Sequence, residues 1–307
     1  MKYIKHYYKR GLVIFGILVF IFLATEVTYT SIGAMDVVAS GGRPPLEVNY
    51  TTMPQAVKDD AARTAEFICR TDGGKYEVVY NELLGLYLAA RDKDVVIVFV
   101  SGGWGWNIVE NSEGWNSILE GIEIELESAG RETLLLNYQR TDESLRAYID
   151  EGLELFRNYP NKADYLVQRV DFLNRNIMDL HVILAGESTG TVISDKVMNN
   201  VADNERVYSI LTGPPFWHKP EENKHTLVLT SNGVTPDTFT AGDFATMLWT
   251  SLKTGLGISS DKEEKGNLFN SLSAPGHYYS WDYPYVREEI SGFLEENFGE
   301  KQAAITG

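Results

Sequence analysis

Three stretches of the chain are apolar without a break or an alternation: DVVIVFVSGG at 94–103, TLLLNY at 133–138 and HVILAG at 181–186. Aliphatic and β-branched runs of this length, two of them stopped by glycine, are expected of strands buried on both faces. RVYSILTG (206–213) and HTLVLT (225–230) predict two further strands. The segments between them change period. NSILEGIEIELESAG repeats its apolar positions at helical spacing and closes on Gly130, and TVISDKVMNNVA and the late REEISGFLEENF do the same. Residues 142–156 and 162–179 are helical by the same test, and PQAVKDDAARTAEFICR predicts a first helix. KYEVVY and LGLYLAA predict two strands turning at Asn81-Glu82. Strand and helix alternate, so the expected class is α/β, a mostly parallel central sheet flanked by helices. There is no internal repeat.

The first thirty residues follow a different rule. MKYIKHYYKR is basic, and GLVIFGILVFIFLA (Gly11–Ala24) is unbroken apolar sequence. Fourteen residues match a signal-peptide core; extension to Tyr29 reaches spanning length and places Glu26 at the outer interface. The pattern predicts a signal-anchor helix over residues 1–29, with secretion the outcome if cleavage occurs near Ala34 or Ala39. The basic flank then stays cytoplasmic and the rest of the chain lies on the extracytoplasmic side, tethered to the membrane. Residues 30–56, with Ser-Gly-Gly and Pro-Pro, read as a linker, and 57–307 as one domain with an insertion at about 238–272.

Charge narrows the partners. The chain holds 27 basic and 43 acidic residues, and four of the basic ones fall in the first ten positions. The remainder therefore carries 23 against 43, about −20, which repels nucleic acid and anionic lipid alike. One cysteine, Cys69, excludes an internal disulfide and a cysteine metal cage.

The candidate chemistry lies in Gly186-Glu187-Ser188-Thr189-Gly190, where the strand HVILAG passes directly to a helix. A turn this tight forces its central residue into strained backbone and requires small neighbours two positions away. In this context the motif resembles the nucleophile elbow of the α/β-hydrolase superfamily, a resemblance that extends over about residues 76–298. It implies a serine hydrolase of carboxylic esters, with Ser188 followed in the chain by an acid and then a histidine. A peptidase or amidase of the same fold, and a catalytically silent membrane-tethered binding protein, are the alternatives. Of five histidines only His277, in APGHYYSWDYP, sits in the last loop before the terminal helix; His218, in TGPPFWHKP, is the second candidate. The acid is Asp237 or Asp243, both after HTLVLT, with Asp243 also placed to cap the helix that begins at Phe244. An oxyanion needs two donors. The N–H of Thr189 is one; the other comes from Ser101-Gly102-Gly103-Trp104-Gly105-Trp106, similar to the family's His-Gly-Gly loop but with Ser101 at the histidine, so Gly103 and Trp104 both qualify. Trp106, Phe216, Trp217 and His218 are expected to line a pocket for an apolar or aromatic ester, with Phe244, Met247, Leu248 and Trp249 overhanging it. The implied chemistry requires no metal or organic cofactor.

Overall fold

Residues of β2 (Val95–Val100) show why the apolar runs do not alternate. Val96, Val98 and Val100 enter one core, while Val95, Ile97 and Phe99 enter another on the opposite face. The computed structural model describes residues 32–38, 53–70, 73–141, 145–256, 266–268 and 272–299. The expected signal anchor lies outside these residues. Among them no helix is long and apolar enough to cross a membrane.

The sheet has six strands in the order β1-β3-β2-β4-β5-β6, with β1 at Ala34–Val37, β3 at Thr133–Gln139, β4 at His181–Glu187, β5 at Val207–Thr212 and β6 at Thr226–Leu229. Strands β2 to β6 are parallel; β1 runs antiparallel to β3, with Ala34 opposite Gln139 and Val37 opposite Leu136. The first core takes helices α1 (Gln55–Ile68), α2 (Tyr76–Ala90), α5 (Pro160–Asn176) and α6 (Thr189–Asn200). The second takes α3 (Glu113–Ser128) and α9 (Pro284–Phe298). Helix α4 (Leu145–Phe156) precedes α5, and a short α7 (Thr238–Ala241) precedes α8 (Phe244–Gly255). Two-residue strands β7 (Asn267–Leu268) and β8 (Leu272–Ser273) pair beside α8. The fold is thus α/β, with a mixed, mostly parallel sheet between helices.

Two expectations are corrected. Residues 76–90 form one helix, not two strands. Val79, Leu83, Leu86 and Ala90 recur at spacings of four, three and four and all are buried, which is a helical face. Glu82, read as a turn, instead receives the buried Arg169 guanidinium at 2.6 Å. The linker, too, contains a strand. β1 is held by its pairing to β3, by Met35 N–H donating to Glu82 and by Arg169 donating to Gly33 O.

Candidate active site

Backbone shape makes the elbow. Ser188 has φ 49° and ψ −118°, in the left-handed half of the map where side chains pay strain. A Cβ on Gly190 would stand 2.0 Å from Val100 O, and one on Gly186 would meet Leu211, Ser194 and Thr191 within 2.9–3.2 Å. Only glycine fits at 190, where the obstacle is fixed backbone, and 186 is crowded enough to favour glycine, which is the physical content of the motif. Ser188 N–H donates to Thr212 O at 2.9 Å, fastening the elbow to the end of β5.

Three residues separated widely in sequence meet there. His277 Nε2 lies 3.0 Å from Ser188 Oγ, and its Nδ1 lies 2.8 Å from Asp237 Oδ2. Asp237 is anchored in turn. Its Oδ1 accepts the N–H groups of Phe239 and Thr240, capping α7, and its Oδ2 also accepts the hydroxyls of Thr240 and Tyr279. Burial works to raise the Asp237 carboxyl, but the bond and charge of His277 and the donors from Thr240 and Tyr279 outweigh it and hold the group below its ordinary range. Asp243 is exposed and caps α8 through Thr246. It is Asp237, therefore, that reaches the imidazole. Gly213, at φ 59°, leaves room for the ring: a Cβ there would be 2.7 Å from His277 Cε1.

The loop after β2 closes another side. A Cβ on Gly102 would sit 3.0 Å from Ser188 Cβ, and the Gly102 N–H donates to Glu187 Oε2 at 3.0 Å. Burial raises the Glu187 carboxyl above its usual value, the Gly102 bond and the charges of His277 and Arg140 opposing it only in part. The loop's carbonyls are all tied. Arg140 donates to Ser101 O and, at 3.2 Å, to Gly103 O; the hydroxyl of Thr189 reaches Gly103 O at 3.0 Å and that of Thr141 reaches Trp104 O at 2.7 Å. Arg140 is itself fully buried and is paired with buried Glu151 at 2.8 Å. Next to it Lys162 pairs with Asp150 at 3.2 Å and donates to Arg140 O. The sequence motifs contain Gly102 and Glu187 but assign them no role, and nothing in them points to Arg140; a buried arginine just after β3 is legible only when the loop lies against it.

A cavity of about 410 Å³ opens over Ser188 and His277. Its other walls are Asn107, Asn111, Ser112, Glu113, Gly114, Glu187, Thr212, Gly266, Tyr278 and Tyr279, which are mostly polar. The expected lining of Trp106, Phe216, Trp217 and His218 is not among them. Trp106 stacks on Trp104 at 6.3 Å in the loop after β2, and His218 Nε2 lies 3.1 Å from Asp195 of α6. Phe216 and Trp217 instead join Phe239 and Phe244 in an edge-to-face cluster, and Phe239 touches the His277 ring at 5.0 Å. Met247 is buried in a small satellite core, while Phe244, Leu248 and Trp249 face outward. Trp115 packs in the second core and donates to Thr212. Among the described residues no group of three His, Cys, Asp or Glu side chains is placed to hold a metal.

No protein-family model matches the chain, and no curated protein matches it. Among solved structures it is similar to a Trichoderma reesei cutinase in complex with a C11Y4 phosphonate inhibitor, at 12% identity, covering 82% of this chain and 95% of that one, with a TM-score of 0.39.

Proposed function

We propose that this chain is a serine hydrolase of carboxylic esters, of the α/β-hydrolase type, working through a covalent acyl-enzyme. One observation carries the reading: a single imidazole spans a serine on a strained elbow and a carboxylate that already has four other donors. Such a carboxylate stays ionised and fixes the proton on His277 Nδ1, leaving Nε2 as acceptor toward Ser188. Ser188 Oγ attacks the ester carbonyl as its proton passes to Nε2. The tetrahedral oxyanion takes the Thr189 N–H, at a helix start that lacks intrahelical acceptors, and a second N–H from Gly103 or Trp104. Collapse breaks the C–O bond, and the departing alcohol leaves with the proton from His277. Water, deprotonated by the same nitrogen, then releases the acid. A mostly polar cavity over Ser188 and an aromatic cluster against the His277 ring suit an ester with one polar and one apolar part.

The test is labelling of the full chain with a fluorophosphonate. Covalent modification at Ser188 is expected, absent in Ser188→Ala and strongly reduced in His277→Ala. Folded protein that takes no label would overturn the assignment.

A further inference from the structure

Helix α8 carries apolar side chains on both faces. Its inner face is accounted for: Met247 packs with Phe239, Leu268 and Ala274, and the Ser251 hydroxyl accepts from Ser273 N–H. Its outer face is not. Phe244, Leu248, Trp249, Leu252 and Leu256 are between 50% and 69% exposed, at spacings of four along one stripe with Trp249 beside it. From 244 to 256 the only charge is Lys253, whose ammonium lies over the Trp249 ring at 5.7 Å. On a chain with a net charge of −16, this is a patch almost free of charge, and contiguous exposed apolar surface of this kind marks an interface. It is continuous with the site, since Phe244 meets Phe216 at 4.9 Å, Phe216 meets Phe239 at 6.2 Å, and Phe239 meets His277.

A second observation says what the patch faces. Because β1 is antiparallel to β3, its first residue, Ala34, lies opposite Gln139, the last residue of β3. The chain thus enters the sheet at the carboxyl edge of the parallel strands, where Ser188 sits. Gly33 packs against Gln139 and Arg140, beside the loop of residues 101–105. Gly33 is nine positions beyond Ala24, the end of the apolar run, a reach of at most about 30 Å. A bilayer entered by that run would be tethered within that reach of the catalytic edge of the sheet.

From these two facts we infer that α8 seats its outer face in a lipid–water interface of zwitterionic character, so that the catalytic rim faces the membrane and takes amphiphilic esters from it. The chain's net charge of −16 disfavours an anionic bilayer as the preferred partner. The Lys253–Trp249 pair matches the headgroup level, where an indole and a lysine stem are both favoured. This inference rests on the esterase reading for its substrate, though not for its geometry.

The full chain in phosphatidylcholine vesicles provides the test. Lipid brominated near the headgroup end of the acyl chains should quench tryptophan emission, and Trp249→Phe should remove most of the quenched fraction. Leu248→Asp with Leu252→Asp should abolish that quenching and lower turnover of an ester carried in the vesicle by more than about tenfold, while a water-soluble ester is hydrolysed within about twofold of wild type. Quenching that Trp249→Phe leaves unchanged, or vesicle-borne turnover that the double aspartate leaves unchanged, overturns the inference. It is likewise overturned if the face proves to be covered by a second copy, seen as a dimer that the double aspartate dissolves, or by residues 11–24, seen as Trp249 shielded from lipid and from aqueous iodide alike. Loss of both ester activities in wild type would sink the hydrolase assignment alone, because the quenching still reports the docking.

Discussion

Arg140 is the most informative perturbation in this molecule. Its guanidinium donates to Ser101 O and Gly103 O on one side and, through Nε and Nη2, to Glu151 Oε1 at 3.0 and 2.8 Å on the other. Burial opposes its charge, but Glu151, with Tyr159 and Tyr138, more than compensates, so the group stays cationic. Arg140 also lies so close to Gly105 that a Cβ there would meet Nε at 2.6 Å, and its own N–H donates to Gly105 O. Lysine keeps the charge but presents a single ammonium. It can hold Glu151 or the loop, not both in a fixed fork. Bonds to a charged donor are worth about 1.5–3 kcal/mol each, so Arg140→Lys should cost about 2–4 kcal/mol in urea unfolding. Arg140→Met, which strands Glu151 unpaired, should cost about 3–5 kcal/mol. The kinetic consequence separates positioning from mere stability. Removal of one oxyanion donor costs about 10²–10³ in kcat, and a loop shifted rather than lost should cost about 10–100-fold, with KM changed far less. Kinetics of Arg140→Lys on a soluble ester, measured well below its unfolding transition, decide the matter. If the variant loses the expected stability yet keeps kcat within about twofold, Arg140 braces the fold and does not position the loop.

Two further outcomes follow from the site. Asp237→Asn should lower turnover by about 10²–10⁴, through loss of the imidazole tautomer, whereas Asp243→Asn should leave turnover near wild type; the reverse ranking would move the acid to Asp243. Glu187 concerns stability against pH. Its carboxyl titrates higher in the folded chain than in the unfolded one, so the folded state binds the proton more tightly, and stability falls as pH rises from the ordinary glutamate range through the folded value. Glu187→Gln keeps an acceptor for the Gly102 N–H and removes that loss. Its Tm should exceed that of wild type above neutral pH and converge with it in acid; a constant difference across the range would show that burial is not the cause.

Much of the architecture could be read from local pattern. Runs such as Val95–Val100 have no polar position to spare, so both faces must be covered, and a parallel sheet between helices is the economical way to do that. The elbow was legible for a related reason: two glycines around a serine, between strand and helix, state a backbone requirement that the sterics at Gly186 and Gly190 then exhibit. The misreading of 76–90 shows the limit. A helix buried on a wide face is so apolar that its period is blurred, and only packing against α1, β1 and α5 reveals which repeat the chain uses.

What the amino-acid order determined by itself was therefore the class of fold, the elbow, and a short set of acids and histidines able to serve it. Tertiary structure decided the rest. It chose Asp237 over Asp243, since both follow the same strand and only one comes within 2.8 Å of the imidazole. It put polar walls where aromatic ones were expected, because Phe216 and Trp217 pack against Phe239, and Phe216 against Phe244, away from the cavity lining. It also brought Arg140 under a loop thirty-five or more residues away in the chain. Propensity and periodicity act over a few neighbouring positions; buried charge pairs and cavity walls are settled by residues that meet only once the sheet has formed.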